Sequence, residues 1–182
     1  GNSIEKIDGV NQLVDIKKFH LDKIKSLFDI DFIANRLKKM KLRIFVDSMH
    51  GSAANCMSEI FASNDLEVIS EIRKDADPFF GGKPPEPLLN YADDLKQILI
   101  KNSTNEVKTL GIIFDGDGDR IAAIDEKGRY SSTQDLLPYF ISYLGEIKNN
   151  SYPVLKTVSG SDIIKNISES QNRDVFELPV GF

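Results

Sequence analysis

Between Leu110 and Asp125 the chain reads LGIIFDGDGDRIAAID, where Asp115, Asp117 and Asp119 alternate with Gly116 and Gly118 and Arg120 follows. Glycine lets the backbone fold tightly, so alternate side chains can converge. Carboxylates crowded in this way repel one another, and a hard divalent cation removes the repulsion. An all-oxygen donor set of this kind suits Mg²⁺, whose remaining positions go to water or to phosphate oxygens. Such an ion neutralises charge on a phosphoryl group in transfer. Arg120 offers a planar fork of donors for phosphate, or a salt bridge that relieves the acidic turn, and the two roles are compatible.

Two other readings compete. A calcium-binding EF-hand loop also begins D-x-D-x-D, and Glu126 stands at its acidic last position. Its sixth position requires Gly for a sharp turn, however, and here carries Arg120, while the flanks read as strands and not helices. The calcium reading fails on both counts. The alternative is a solvated Asp/Gly turn between two strands. Alternating carboxylates next to an arginine favour the ligand reading over it.

The elements that must position this turn follow from hydrophobic spacing. Leu21, Ile24, Leu27, Phe28, Ile33 and Leu37 recur at helical intervals between Phe19 and Met40, which predicts two helices broken at Asp29 to Asp31. LRIFVD is a short β-rich run entering the small-residue turn SMHG, and AANCMSEIFA then has helical periodicity. LEVISEI reads as the next strand and DPFFGGKPPEP as a loop of fixed shape. LLNYADDLKQILIKN reads as a helix, VKTLGIIF as a strand, and RIAAIDEKGRY as a strand turning at Lys127 and Gly128. In STQDLLPYFISYLGEIK, Ser132 or Thr133 can cap a further helix. Strand, helix and strand then repeat as PVLKTV, SDIIKNISES and DVFELPV. The alternation predicts a layered α/β/α domain with a mixed sheet, followed by part of a second, similar domain too short to close its own core.

Composition narrows the partners. The 182 residues carry a formal charge of −5, with no basic run interleaved with aromatics, so a nucleic-acid partner is not expected. The single Cys56 cannot form an intrachain disulfide, and a cytoplasmic location is the expectation. No apolar run approaches bilayer length, so no membrane partner is expected either. The chain opens GNS without an initiator Met, which suggests a piece of something longer.

With these residues in hand, the chain resembles the α-D-phosphohexomutases, most closely the phosphoglucomutase type. DGDGDR is similar to the family's metal-binding loop, VDSMHGSAA to a strand and turn of its second domain, FGGKPPEPLLNYADDL to its proline-rich loop and following helix, and ELPVGF to a third-domain segment that reaches the sugar phosphate. The resemblance implies a four-domain parent: residues 1–18 a lead-in from domain 1, 19–130 the metal-binding domain 2, and 131–182 part of the substrate-binding domain 3. The phosphoserine loop T-A-S-H-N-P, the sugar-reading G-E-x-S-G and the domain 4 phosphate loop do not occur in this chain, which is therefore expected to be inactive alone.

The chemistry implied is interconversion of hexose 1-phosphate and hexose 6-phosphate through a phosphoserine and a bisphosphate intermediate, with glucose 1,6-bisphosphate as activator. On this resemblance Asp115, Asp117 and Asp119 hold Mg²⁺ and Arg120 is catalytic, orienting the transferring group. Lys156, Val180 and Gly181 would bind substrate. Lys156 stands where several members carry Arg, and also reads as a strand-end lysine in solvent. Val180 stands where glucose enzymes often carry Thr. A mannose-preferring or dual-specificity mutase is the nearest alternative, a glucosamine-phosphate mutase ranks lower, and a non-catalytic mutase-derived binding or structural protein is the alternative of a different class. The remaining candidates read as structural: His50 as packing or capping, His20 as lacking a partner at ligand spacing, Cys56 as a small buried residue and the FFGGKPPEP loop as rigid.

Overall fold

In a computed structural model of the chain, residues 15–62 and 68–181 are described. Leu66 and Glu67 of the expected strand, most of the 1–18 lead-in and Phe182 lie outside that set. Helices α1 (Ile16–Leu27) and α2 (Ile30–Lys39) meet at Asp29, whose side chain accepts from the Phe32 amide at 2.8 Å and starts α2. The acidic break seen in the sequence is thus a helix N-cap.

The central sheet contains β1 (Leu42–Asp47), β2 (Ile69–Ile72), β3 (Lys108–Phe114), β4 (Ile121–Asp125) and β5 (Tyr130–Ser131), in the order β2-β1-β3-β4-β5. Both neighbours of β1 run parallel to it, and β4 and β5 return antiparallel. Connection length decides the sense: helices carry the parallel crossovers, and a short hairpin joins β3 to β4.

Alternation along β1 builds two apolar layers. Ile44 and Val46 join Leu21, Ala34, Leu37, Ile60 and Phe61 on one face, and Phe45 joins Leu95, Leu99, Ile113 and Ile124 on the other. The second layer is covered by α4 (Asp93–Asn102), so the sheet lies between helices as expected.

Two expected helices come out shorter. Helix α3 occupies only Cys56–Ile60, because Met49, His50 and Asn55 take left-handed backbone conformations and keep the chain in turns until then. Leu89–Tyr91 form a separate tight turn before α4, with the Tyr91 carbonyl taken by Arg73 Nη2 at 2.9 Å.

The second unit begins at Ser132, which forms a reciprocal cap with Asp135 at the start of α5 (Thr133–Ser142). The last turns, Tyr143–Ile147, widen into a π-helical segment. Strands β6 (Val154–Thr157) and β7 (Val175–Leu178) pair in parallel across α6 (Asp162–Ser170). Leu155, Phe176 and Leu178 are exposed on this two-stranded sheet. Among the described residues no helix is long and apolar enough to cross a membrane.

Candidate metal centre

β1 and β3 are parallel, with Asp47 beside Ile113, so the turns that follow them emerge at the same edge of the sheet. The carboxylate turn connects β3 to β4 there, closed by the Phe114–Ile121 pair. Asp115 is 1 % exposed. Its Oδ1 accepts from the amides of Gly118 and Arg120, both at 3.0 Å, and its Oδ2 from Arg120 Nε at 2.7 Å. Gly118, at φ +82°, makes the reversal that brings those amides round.

Asp117 and Asp119 are exposed. No N–H group among the described residues hydrogen-bonds the Asp117 carboxylate, and Asp119 meets Arg120 Nε at 3.9 Å. One oxygen from each of Asp115, Asp117 and Asp119 lies within 4.8 Å of the others. Burial alone would push the Asp115 carboxyl up, but the amide and guanidinium of Arg120 outweigh it and hold the group below its ordinary value. The Asp119 carboxyl is pushed up, chiefly by the charge of Asp117, with desolvation and Asp115 adding to it. The turn therefore carries negative charge that Arg120 compensates incompletely. An all-oxygen set with two solvent-facing carboxylates fits a hard cation, and these three residues can hold a metal ion.

Arg120 spends Nε on Asp115, and neither Nη1 nor Nη2 makes a hydrogen bond among the described residues. Its terminal fork is free for an anionic group.

Two other segments cradle the turn, and sequence reasoning read both only as loops. Ser52 N donates to the Gly116 carbonyl at 2.9 Å and Ser52 Oγ to the Asp117 carbonyl at 2.6 Å. From the other side the Gly116 amide donates to the Pro85 carbonyl at 3.1 Å. A methyl on Gly116 would stand 3.0 Å from Pro85 Cγ and 3.3 Å from Phe80 Cε1. Tyr130 Oη anchors the proline loop by donating to the Pro87 carbonyl at 2.5 Å. The sequence signal available was the small-residue turn itself, since SMHG and FGG mark places where another backbone comes close.

Beneath this cradle, buried Asp47 accepts from the Met49 amide at 3.1 Å and forms a two-pronged ion pair with Arg73. His50 is not at a helix start. Its Nδ1 meets the Asp75 carbonyl at 2.7 Å, and its ring lies against Gly81, consistent with packing. Cys56 is partly buried, and desolvation raises its thiol pKa.

The other expected site residues lie on the second unit. Lys156 is not the solvent-exposed lysine of one sequence reading: its side chain is 4 % exposed, and its ammonium pairs with Glu177, donates to the Gly160 carbonyl at 3.0 Å and faces Asp162 at 3.8 Å. Val180 and Gly181 are exposed just beyond β7. Among the described residues no hydrogen bond or ion pair joins Lys156, Val180 or Gly181 to the carboxylate turn, so the turn and Arg120 form one group and these three another.

Residues 18–128 match the family description "Phosphoglucomutase/phosphomannomutase, alpha/beta/alpha domain II". The chain belongs to the phosphoglucomutase/phosphomannomutase family. Phosphoglucomutase 1 of Drosophila melanogaster is 27 % identical over 186 residues, covering 99 % of this chain and 32 % of that protein. A phosphoglucosamine mutase of Methanococcus aeolicus is 32 % identical over 169 residues, covering 91 % of the chain and 37 % of that protein. The chain thus spans about a third of the length of these family members. Among solved structures, the open form of the Paramecium phosphoprotein pp63/parafusin, described as a phosphoglucomutase, superposes with a TM-score of 0.75 at 24 % identity over 93 % of the chain and 30 % of its own. The layered fold is therefore that of the α-D-phosphohexomutases.

Proposed function

We propose that the protein to which this chain belongs interconverts hexose 1-phosphate and hexose 6-phosphate, glucose being the favoured sugar, and that this chain supplies its metal site. One observation carries the reading: in a phosphohexomutase-family chain, Asp115, Asp117 and Asp119 converge within 4.8 Å beside an arginine whose terminal nitrogens are free.

Asp115 is the anchored ligand, fixed by Gly118 and Arg120, and Asp117 and Asp119 are the solvent-facing ones. Mg²⁺ held there would supply charge neutralisation for a phosphoryl group passing between a serine of the parent chain and the sugar. Arg120 orients that group with Nη1 and Nη2 while its Nε stays on Asp115. These roles are positioning and electrostatics, which dominate phosphoryl transfer. A phosphoserine, a bisphosphate intermediate and glucose 1,6-bisphosphate as activator belong to the same reading, as do inactivity of the isolated chain and a cytoplasmic location.

Residues 19–130 form the metal-binding domain in this reading, and 131–182 part of the substrate-binding one. Val180 and Gly181, exposed beyond β7, are disposed to meet a sugar phosphate. Lys156 serves substrate only if phosphate displaces Glu177 from its ammonium.

A second reading, turnover of glucosamine phosphate, is favoured by the 32 % identity to the Methanococcus mutase. The test is a coupled assay of the parent protein with Mg²⁺ and the matching 1,6-bisphosphate, comparing glucose, mannose and glucosamine 1-phosphates. Fastest turnover of the glucose ester is expected. Preference for another ester reassigns the sugar, and no turnover of any overturns the mutase reading in favour of a non-catalytic protein.

A further inference from the structure

We propose that Ser52 is a positioning residue of the metal turn, clamping two consecutive carbonyls so that Asp117 is held beside Asp115. This rests on the metal reading above and extends it to a residue outside the DGDGDR segment.

The three carboxylates are not held alike. Asp115 is fixed through its own side chain by two amides and a guanidinium. The Asp117 side chain accepts from no N–H group among the described residues, and the residue lies between Gly116 and Gly118. Torsions on both sides of a glycine are soft, and inside the turn the Asp117–Gly118 peptide is held at its N–H end, by the Gly118 amide on Asp115 Oδ1 at 3.0 Å. The carbonyls on either side of it are held from the loop after β1. Ser52 N donates to the Gly116 carbonyl at 2.9 Å and Ser52 Oγ to the Asp117 carbonyl at 2.6 Å, so one residue grips the carbonyl of each peptide plane flanking Asp117.

The grip depends on close approach. A methyl on Gly118 would lie 3.2 Å from Ser52 Oγ, and one on Gly51 would collide with the Gly116 carbonyl. Removing the hydroxyl leaves the peptide between Asp117 and Gly118 held at its N–H end by Asp115 but loosened at its carbonyl end. A divalent ion binding to that variant must then restore the order that Ser52 supplies in advance.

The test uses the whole chain with Mn²⁺ as a spectroscopic probe, free ion being followed by electron paramagnetic resonance. Ser52→Ala should weaken Mn²⁺ binding about 3- to 10-fold, the range expected for one lost hydrogen bond, and Ser52→Thr, which keeps the hydroxyl, should restore it. A merely structural serine would show itself in the melting temperature in EDTA, which should stay close to that of the original chain. Amide exchange of Gly118 and Arg120 in EDTA gives a metal-free readout and should quicken in Ser52→Ala only. Equal Mn²⁺ affinity in Ser52→Ala, with unchanged exchange, overturns the clamp and leaves the metal reading standing, as when water replaces the hydroxyl. Failure of the unsubstituted chain to bind Mn²⁺ at all overturns the metal reading, and the clamp with it.

Discussion

Gly51 faces the carbonyl of Gly116 so closely that a methyl on Gly51 would stand 2.4 Å from that oxygen. The contact is backbone on backbone, so neither partner can rotate away as a long side chain would. Gly51→Ala should therefore push the loop after β1 off the carboxylate turn. A loss of about 1–3 kcal/mol is expected, as for overpacking elsewhere, together with weaker divalent-ion binding. Urea unfolding and a Mn²⁺ titration check the two effects. Unchanged values in both would mean that the loops part without cost.

Asp47 and Arg73 brace that loop from below. Asp47 is fully buried, and Arg73 is 15 % exposed by its side chain. Arg73 also reaches the Tyr91 carbonyl, tying β1, β2 and the start of α4 together. Arg73→Met leaves Asp47 charged and unpaired in the interior and should cost about 3–5 kcal/mol. Changing both residues to apolar ones of similar size should cost less than the sum of the single changes, which a double-mutant cycle by denaturant unfolding measures.

The sequence made some of this legible and not the rest, for physical reasons. Strands β1 and β3, the cap at Ser132 and the carboxylate turn depend on local spacing, so residues a few positions apart announce them. The clamp of Ser52 on Asp117 spans 65 positions, and the tie of Tyr130 to Pro87 spans 43. No local pattern encodes such partners, since folding alone brings β1 and β3 side by side. Helix α3 is shorter than its spacing predicts for a related reason: the periodicity of AANCMSEIFA is real, but left-handed Asn55 keeps its first residues in turns. The burial of Lys156 was equally hidden, because Glu177, its partner, belongs to the neighbouring strand.

Asp117→Asn separates charge from shape at the turn. The Asp117 side chain has no hydrogen bond from an N–H group to lose and is exposed, so the melting temperature of this chain should barely move. On the proposed function, turnover of the parent protein should fall by about 100-fold or more, because the proposed metal site would lose one of its carboxylates to a neutral amide. Turnover at the original rate would remove Asp117 from the metal shell.

The turn between β4 and β5 gives a prediction for pH. Asp125 Oδ1 accepts from the amides of Lys127 and Arg129, both at 2.9 Å, and Oδ2 from Arg129 Nε at 2.5 Å. Partial burial pushes this carboxyl up, but the amide and side chain of Arg129, with the Lys127 amide, outweigh it and hold the pKa below its ordinary value. A depressed carboxyl binds fewer protons in the folded than in the unfolded chain, so its stabilisation is fully present above the unfolded pKa of about 4. That contribution fades as pH falls from there through the folded value. Asp125→Ala should accordingly be less stable by about 1–2 kcal/mol at neutral pH, and the deficit should shrink below about pH 4. Urea unfolding of both proteins across the acid range measures the difference directly. A deficit that stays constant down to acid pH would mean that the side chain acts through packing and not through its charge.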